Sequence, residues 1–331
     1  MPGIGPGAPD ALAGRGVAVV GCGAVGCATA SVLARSGVGR LRLIDRDVVE
    51  PRNLGDQCLF GDADAAERRP KAEVAAERLA AYDGGLAIEP VVDHVGARNA
   101  EALLRGFDAI VDAADNLDTK YLVNDVSLAL GTPWVYAGCA GRRVTVMAVV
   151  PRRTHCLRCI WPEPPPPRRV DGCATAGLLP ATAQIAGAVQ ATEVLKILLG
   201  RHEDLIGAPL SVDAWSARTR RLPVPAFDPD SAACPACGAG ELRYLRAAPA
   251  RDAAVLCGGD TVLVPEGSHE LDWEAVRARL ARRGPLVEGP GYLRFSADDM
   301  GVLLFASGRA LVHGTDDPLK ARALVGREVA G

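Results

Sequence analysis

The stretch Val17-Ala18-Val19-Val20-Gly21-Cys22-Gly23-Ala24-Val25-Gly26 decides how the rest of this chain is read. A short apolar run ends on a glycine, the pattern G-x-G-x-x-G follows, and small residues then continue to Arg35. Strand, glycine turn and helix in that order open a mononucleotide-binding βα unit. Glycine lets a phosphate approach the backbone, and the N-terminus of the helix favours an anion. Asp45 stands 24 residues after Gly21, at the end of a second apolar strand over 41–45. An acid there takes ribose hydroxyls. The alternative reading is a tight βα turn that holds no ligand. By itself the glycine motif would suggest NAD.

Outward from this unit, strands read over 17–21, 41–45, 88–92, 108–112, 134–137 and 144–150. Helical patterns over 23–35, 69–82 and 118–130 separate most of them. That alternation predicts an α/β fold, a doubly wound and mostly parallel sheet. Residues 162–169 are too proline-rich for regular structure. The longest apolar stretch, 177–200, is interrupted by Gln184, Gln190, Glu193 and Lys196. It reads as a buried helix with Pro180 in its first turn and Gly200 as its stop, not as a membrane span. The Pro/Gly-rich 223–240 segment closes the main domain. Strands at 261–264, 291–296, 302–305 and 310–312, with helices at 271–283 and 318–325, then make a small α+β domain. The expected division is 1–240 and 245–331.

Hydrophobic residues make up 49% of the 331 and charged residues 23%, which fits a folded domain rather than a disordered one. The net charge of −3 lacks the basic excess that nucleic acid or an anionic membrane would attract, so neither is expected as a partner. Residues 1–16 have no basic and apolar leader pattern, and a reducing cytoplasm is the expected address. Arginine dominates the basic residues. Lys71, Lys120, Lys196 and Lys320 are the four lysines among 37 cations, which draws attention to each.

Ten cysteines include two C-x-x-C pairs, Cys156/Cys159 and Cys234/Cys237. In a reducing compartment this is the spacing of a Cys₄ zinc site, structural because four thiolates leave no open position. A redox dithiol or unrelated cysteines are the alternatives. Cys22, Cys27, Cys58, Cys139 and Cys257 fall in apolar or tight segments and are expected to be packing residues.

Taken in order, these residues resemble the ThiF/MoeB/HesA family, bacterial relatives of the ubiquitin-activating enzymes. Gly21 to Gly26 matches its nucleotide loop, and Leu43-Ile44-Asp45-Arg46-Asp47 its acidic strand end. Asn53-Leu54-Gly55-Asp56-Gln57 is similar to its N-L-x-R-Q segment, Arg69-Pro70-Lys71-Ala72-Glu73 to R-P-K-x-E, and Asp112-Ala113-Ala114-Asp115-Asn116 to D-x-x-D-N. The cysteine pairs and the Gln190-Ala191-Thr192-Glu193 segment complete the match over about residues 14–240. Some thiazole-pathway members also carry a C-terminal appendage with a segment similar to Ser307-Gly308-Arg309-Ala310 and Gly314-Thr315.

The resemblance implies a Rossmann-like ThiF/MoeB fold and ATP, with Mg²⁺ and Zn²⁺, in place of NAD. It implies adenylation of the C-terminal glycine of a small β-grasp sulfur-carrier protein, ThiS- or MoaD-like and ending in Gly-Gly. Pyrophosphate leaves, and the activated carboxyl becomes a thiocarboxylate. A separate sulfur donor and a homodimer are implied as well.

A carboxylate attacking ATP brings two anions together, so the site needs cations and alignment. Lys71, at the start of a predicted helix, is the candidate cation; an exposed helical lysine is the alternative. Asp115 lies past the end of the fourth strand, where open α/β sheets bind ligands. It is the candidate Mg²⁺ ligand, or else the cap of the next helix. Gly21, Gly23, Gly26 and Asp45 complete the nucleotide cradle. Asn53 and Gln57 are carried over as phosphate-side contacts, and Asp47 is either a second acid at the site or a solvated turn residue. Cys173, in Gly172-Cys173-Ala174-Thr175, resembles the thiazole-pathway cysteine of sulfur transfer, or is an inert loop thiol.

Two departures remove positive charge. The arginine of N-L-x-R-Q is Asp56 here. Arg52, Arg68 or Arg69 could replace it, or Asp56 could face away or take Mg²⁺. The family's N-terminal R-x-x-Q helix lends an arginine to a neighbouring subunit, whereas Arg15 is the one arginine before the first strand. Alternative functions are activation of another peptide C-terminus in a natural-product pathway, and a scaffold that docks a β-grasp protein without catalysis. An NAD oxidoreductase is disfavoured, since no hydride-transfer acid/base pair stands out.

Overall fold

The computed structural model describes residues 7–82, 85–165, 177–247, 253–255, 260–265 and 271–330. The chain divides into two compact units, Met1–Ala247 and Ala248–Gly331.

The first unit starts with a short helix α1 (Ala8–Ala13) and the strand β1 (Gly16–Val20). The order continues α2 (Ala24–Arg35), β2 (Arg40–Ile44), a 3₁₀ turn (Pro51–Asn53), α3 (Asp62–Ala66), α4 (Lys71–Ala80), β3 (Ala87–Val91), α5 (Ala100–Leu104), β4 (Ala109–Asp112) and α6 (Leu117–Leu130). It ends β5 (Trp134–Ala140), β6 (Arg143–Val149), α7 (Leu157–Ile160), α8 (Pro180–Leu198), β7 (Leu210–Asp213) and β8 (Arg218–Arg221). One sheet joins these strands in the order β3-β2-β1-β4-β5-β6-β7-β8. Strands β3 through β5 run parallel, and β6, β7 and β8 are added antiparallel.

The alternation along β1 explains the two-sided winding. All five of its residues are buried. Val17 and Val19 pack into one core with Leu33 of α2, Leu79 of α4 and Val194 of α8. Ala18 and Val20 pack into the other with Leu104 of α5, Tyr121 of α6 and Leu157 of α7. A strand buried on both faces reads as a continuous apolar run, as this one does.

The expected buried helix is α8. Pro180 occupies its first turn, where the missing N–H costs nothing, and Gly200 follows it with φ +72°. Among the described residues no helix is long and apolar enough to cross a membrane. Strands β7 and β8 were not foreseen. The β8 residues Arg218, Thr219, Arg220 and Arg221 are all exposed on the sheet edge and carry no apolar alternation to read.

The second unit contains β9 (Ala254–Val255), β10 (Thr261–Val264), α9 (Trp273–Arg283), β11 (Val287–Gly289), β12 (Tyr292–Ala297), β13 (Met300–Phe305), β14 (Ala310–His313) and α10 (Pro318–Val325). Its sheet runs β11-β12-β13-β14-β10-β9 and is antiparallel throughout. Val276 and Leu280 of α9 and Leu324 of α10 share a core with Val302, Leu304 and Val312 of this sheet.

Candidate active site

Three adjacent strands, β2, β1 and β4, bring their carboxyl ends to one rim of the sheet. The glycine loop leaves β1 there. Gly21 has φ +94°, and a Cβ on it would come within 2.6 Å of the Ala113 carbonyl oxygen. A Cβ on Gly26 would come within 1.9 Å of the Gly21 carbonyl oxygen. Close approach of loop, helix and β4 turn therefore demands those two glycines. Gly23 is different, because a Cβ there meets nothing within 4 Å. The space over Gly23 is open, and no side chain caps the first turn of α2.

Asp45 closes this loop from below. Its Oδ2 accepts the Cys22 N–H at 2.6 Å, and its Oδ1 accepts the Asp47 N–H at 2.7 Å. Burial and the neighbouring Asp47 push its carboxyl above the ordinary range, against the pull of Lys71 and these two N–H groups. A carboxylate offers about four lone-pair sites, so one remains on each oxygen beside the loop.

Lys71 is the first residue of α4 and is only 6% exposed, which overturns the reading as an exposed helical lysine. Its Nζ lies 3.4 Å from Asp47 Oδ2, and its N–H donates to the Asp47 carbonyl at 2.9 Å. Burial works against the ammonium, but Asp47, Asp45 and Asp115 outweigh it and raise its pKa above the ordinary value. Asp47 is thus bound into the site's charge network and is no mere turn residue.

Asp115 follows the end of β4 and is half exposed. It does not cap α6. Asn116 does, its Oδ1 accepting the Thr119 N–H at 2.9 Å while its Nδ2 donates to Asp115 Oδ1 at 3.1 Å. Arg46, inside the quoted 43–47 segment but not singled out from it, lies between the two acids. Its Nε is 3.7 Å from Asp47 Oδ1, and its Nη2 is 3.9 Å from Asp115 Oδ1.

The residue-53 to residue-57 turn sits on the Lys71 side. Asn53 Oδ1 accepts the Glu50 N–H at 2.9 Å, a local cap. Asp56 Oδ1 and Gln57 Oε1 are buried atoms with no hydrogen-bond partner among the described residues. Burial raises the Asp56 carboxyl above its ordinary value, and Lys71 opposes the shift. The three arginines considered as replacements are paired with other acids. Arg52 and Arg68 contact Glu50 at 2.6 and 3.0 Å, and Arg69 contacts Asp64 and Glu77. Arg15 pairs with Asp108 at 2.8 Å, beside the amino ends of β1 and β4 and away from this rim.

Behind the rim, a polar network holds the strand ends. Lys120 Nζ donates to Asp112 Oδ2 at 2.9 Å and to the Ala137 carbonyl at 2.8 Å. Asp112 Oδ1 accepts the Ala114 N–H at 3.2 Å, one residue before Asp115. Gln190, wholly buried in α8, donates to the Asp112 and Val135 carbonyls at 2.8 Å each and accepts from Thr29 Oγ1 of α2 at 2.8 Å.

The four cysteines of the two C-x-x-C pairs converge, with all sulfurs within 4.8 Å of one another. Cys156–Cys234, Cys156–Cys159 and Cys159–Cys237 are 3.6, 3.7 and 3.4 Å apart. Tetrahedral zinc with bonds of about 2.3 Å sets sulfurs about 3.8 Å apart, so the cluster fits that ion. Asn124 and Asp125 of α6 fasten the knuckles. Asn124 Oδ1 accepts the Leu157 N–H and Asp125 Oδ2 the Tyr244 N–H, each at 2.8 Å. Of the five expected packing cysteines, Cys22 and Cys27 are buried, Cys139 is half-buried and Cys58 is exposed, contrary to expectation. Cys58 sits in a polar turn where nothing covers it. Cys257 and the candidate nucleophile Cys173 lie outside the described residues.

Residues 1–236 match the model of the ThiF family. This chain belongs to the ThiF family. Over 326 residues this ThiF-family chain is 37% identical to the sulfur carrier protein ThiS adenylyltransferase of Bacillus subtilis, covering 97% of the chain and 94% of that protein. It is also 37% identical over 243 residues to the sulfur carrier protein adenylyltransferase of Thermus thermophilus, covering 72% of the chain and 88% of the relative. Among solved structures, MccB of E. coli shares the fold with a TM-score of 0.58 at 20% identity, over 65% of this chain and 63% of that one. With 97% of the chain covered, the match to the Bacillus protein takes in nearly all of the second unit.

Proposed function

We propose that this protein adenylates the C-terminal glycine carboxylate of a small β-grasp sulfur-carrier protein ending in Gly-Gly, using ATP and releasing pyrophosphate. The observation that carries this reading is the convergence of Lys71, Asp115 and the open space over Gly23 on one glycine loop. Its support from relatives is the similarity to a ThiS adenylyltransferase along nearly the whole chain.

ATP lies with its phosphates over Gly23 and the free N–H groups of the α2 first turn. Asp45 accepts from the ribose hydroxyls with its remaining lone pairs. A carboxylate oxygen of the carrier's terminal glycine attacks the α-phosphorus. The bond from that phosphorus to the bridging oxygen breaks, and pyrophosphate departs with the bonding electrons. The nucleophile is already ionised, so no general base is needed. Lys71 balances charge on the reacting phosphate, and its raised pKa keeps it protonated at neutral pH. Asp115 would hold Mg²⁺, which supplies further charge neutralisation when bound. Gln57 lies on the phosphate side, and Asn53 shapes the turn that presents it.

The acyl adenylate then yields a thiocarboxylate as a sulfur nucleophile displaces AMP. We assign that transfer to Cys173, carrying a persulfide received from a separate sulfur donor, in a cytoplasmic homodimer. Its outer sulfur attacks the carbonyl as AMP leaves. A second thiol then cleaves the acyl disulfide so formed, releasing the thiocarboxylate and joining Cys173 in a disulfide. Cys156, Cys159, Cys234 and Cys237 hold a structural zinc.

The decisive measurement is ATP–pyrophosphate exchange with a Gly-Gly-ending carrier. Exchange is expected with the intact carrier and not with one lacking its last glycine. Lys71→Ala and Asp115→Ala each lower exchange by about a hundredfold or more, whereas Cys173→Ser keeps exchange and loses thiocarboxylate. A carrier that binds without any exchange would leave only docking and overturn the catalytic reading.

A further inference from the structure

Among the described residues at this rim, Lys71 and Arg46 stand among three carboxylates, those of Asp45, Asp47 and Asp115. A triphosphate adds further negative charge, so what Arg46 does matters to binding. Its side chain is only 11% exposed. Its nitrogens point three ways: Nη1 is 2.7 Å from His94 Nδ1, Nε 3.7 Å from Asp47 and Nη2 3.9 Å from Asp115. A guanidinium has no acceptor, so His94 Nδ1 must accept and its ring carries the proton on Nε2. The imidazole contact is a hydrogen bond, while both carboxylate contacts are longer than one. The guanidinium is therefore anchored at His94 and loosely paired with the two acids.

The placement of those partners matters. His94 follows β3, Arg46 follows β2 and Asp115 follows β4, and the sheet order is β3-β2-β1-β4. Arg46 thus reaches from the β3 side, past the end of β1 where the glycine loop begins, to the β4 side. It occupies the line along which a nucleotide would lie.

We propose that Arg46 is a nucleotide-positioning residue that makes cation binding at Asp115 depend on the nucleotide. In the free protein its charge neutralises Asp115 and Asp47 and repels a divalent cation from Asp115. Phosphate oxygens entering over the glycine loop take the guanidinium as a better partner, a charge-assisted fork contact. Asp115 is then released to the cation that arrives with the phosphates. Cation and nucleotide each raise the other's affinity, and the coupling is reciprocal. The inference deepens the ATP reading and rests on it.

The test uses the full chain and two separate probes, Mn²⁺ alone followed by electron paramagnetic resonance, and ATP in excess chelator followed by calorimetry. Arg46→Gln is expected to bind Mn²⁺ alone about tenfold more tightly and ATP alone about tenfold more weakly. The added Mn²⁺ affinity is lost again in Arg46→Gln/Asp115→Asn. Arg46→Lys keeps the charge without the fork, so Mn²⁺ binding stays weak and ATP binding falls between. His94→Phe removes the anchor and not the charge, and it keeps the test open should Arg46→Gln fail to fold. It weakens ATP and leaves Mn²⁺ unchanged. Folded Arg46→Gln that matches the wild type with both probes overturns the proposal, as does His94→Phe with wild-type ATP affinity. A wild type that binds no ATP with or without Mg²⁺ would instead refute the nucleotide reading beneath it.

Discussion

Lys120 Nζ lies 2.9 Å from Asp112 Oδ2, with side chains 6% and 0% exposed. Burial opposes the charge on Lys120, but Asp112 and Tyr136 more than offset it and raise the lysine pKa. The pair also fixes the turn that carries Asp115, through the Ala114 N–H. Neither residue need touch substrate for its loss to be felt at the site.

Lys120→Met would leave Asp112 buried and uncompensated. Breaking a buried pair at one side costs about 3–5 kcal/mol. Urea unfolding should show that loss for Lys120→Met and a partial recovery in Lys120→Met/Asp112→Asn. A double variant no more stable than the single one would mean that the pair is not what holds this turn.

The glycines of the loop separate folding from binding. Gly26→Ala forces a Cβ to within 1.9 Å of the Gly21 oxygen and should destabilise the fold by about 1–3 kcal/mol. Gly23→Ala meets no protein atom within 4 Å and should leave the melting temperature within a degree or two of wild type. Its ATP affinity should fall, because the added methyl enters the space proposed for the phosphates. Equal ATP binding by Gly23→Ala would place the nucleotide elsewhere.

Zinc content is expected at about one ion per chain, as four thiolates complete one tetrahedral shell. Removing the metal with a strong chelator should lower the melting temperature by about ten degrees or more. Cys234→Ser should do the same and reduce the bound metal measured by atomic absorption. Asn124→Ala, which frees the Leu157 N–H, should weaken zinc retention without touching a sulfur.

Asp64 gives a pH signature. Burial works against its carboxylate, but the Gly61 N–H, Arg78 and Arg69 prevail and hold its pKa below the ordinary value. A carboxyl depressed on folding contributes stability that is present above its unfolded pKa, about 3.9, and is lost as pH falls through the lower folded value. Asp64→Asn should therefore be less stable than wild type by about 1–2 kcal/mol at pH 6. The gap should close as the pH falls below the unfolded value of about 3.9 and through the lower folded one. A gap that stays constant between these pH values would show that packing, not charge, makes Asp64 matter.

What the sequence determined by itself is local or carried by spacing. The apolar run before Gly21, the three glycines, the 24 residues to Asp45 and the two C-x-x-C pairs all follow from backbone rules that act over a few residues. They sufficed for the parallel half of the sheet, the glycine loop and the cysteine centre. Tertiary structure decided which charges meet. Arg46 stands beside Asp115 and His94 only because β2, β3 and β4 end at one rim, and strand register is not encoded in the residues at the strand ends. The same holds for the antiparallel strand β8, whose exposed edge position erases the apolar pattern that would announce it. Lys71 shows both halves of the division. Its place at a helix start was legible, but its burial among Asp45, Asp47 and Asp115 came from the packing of α4 against the sheet, since burial is set by neighbours that lie far apart in the chain.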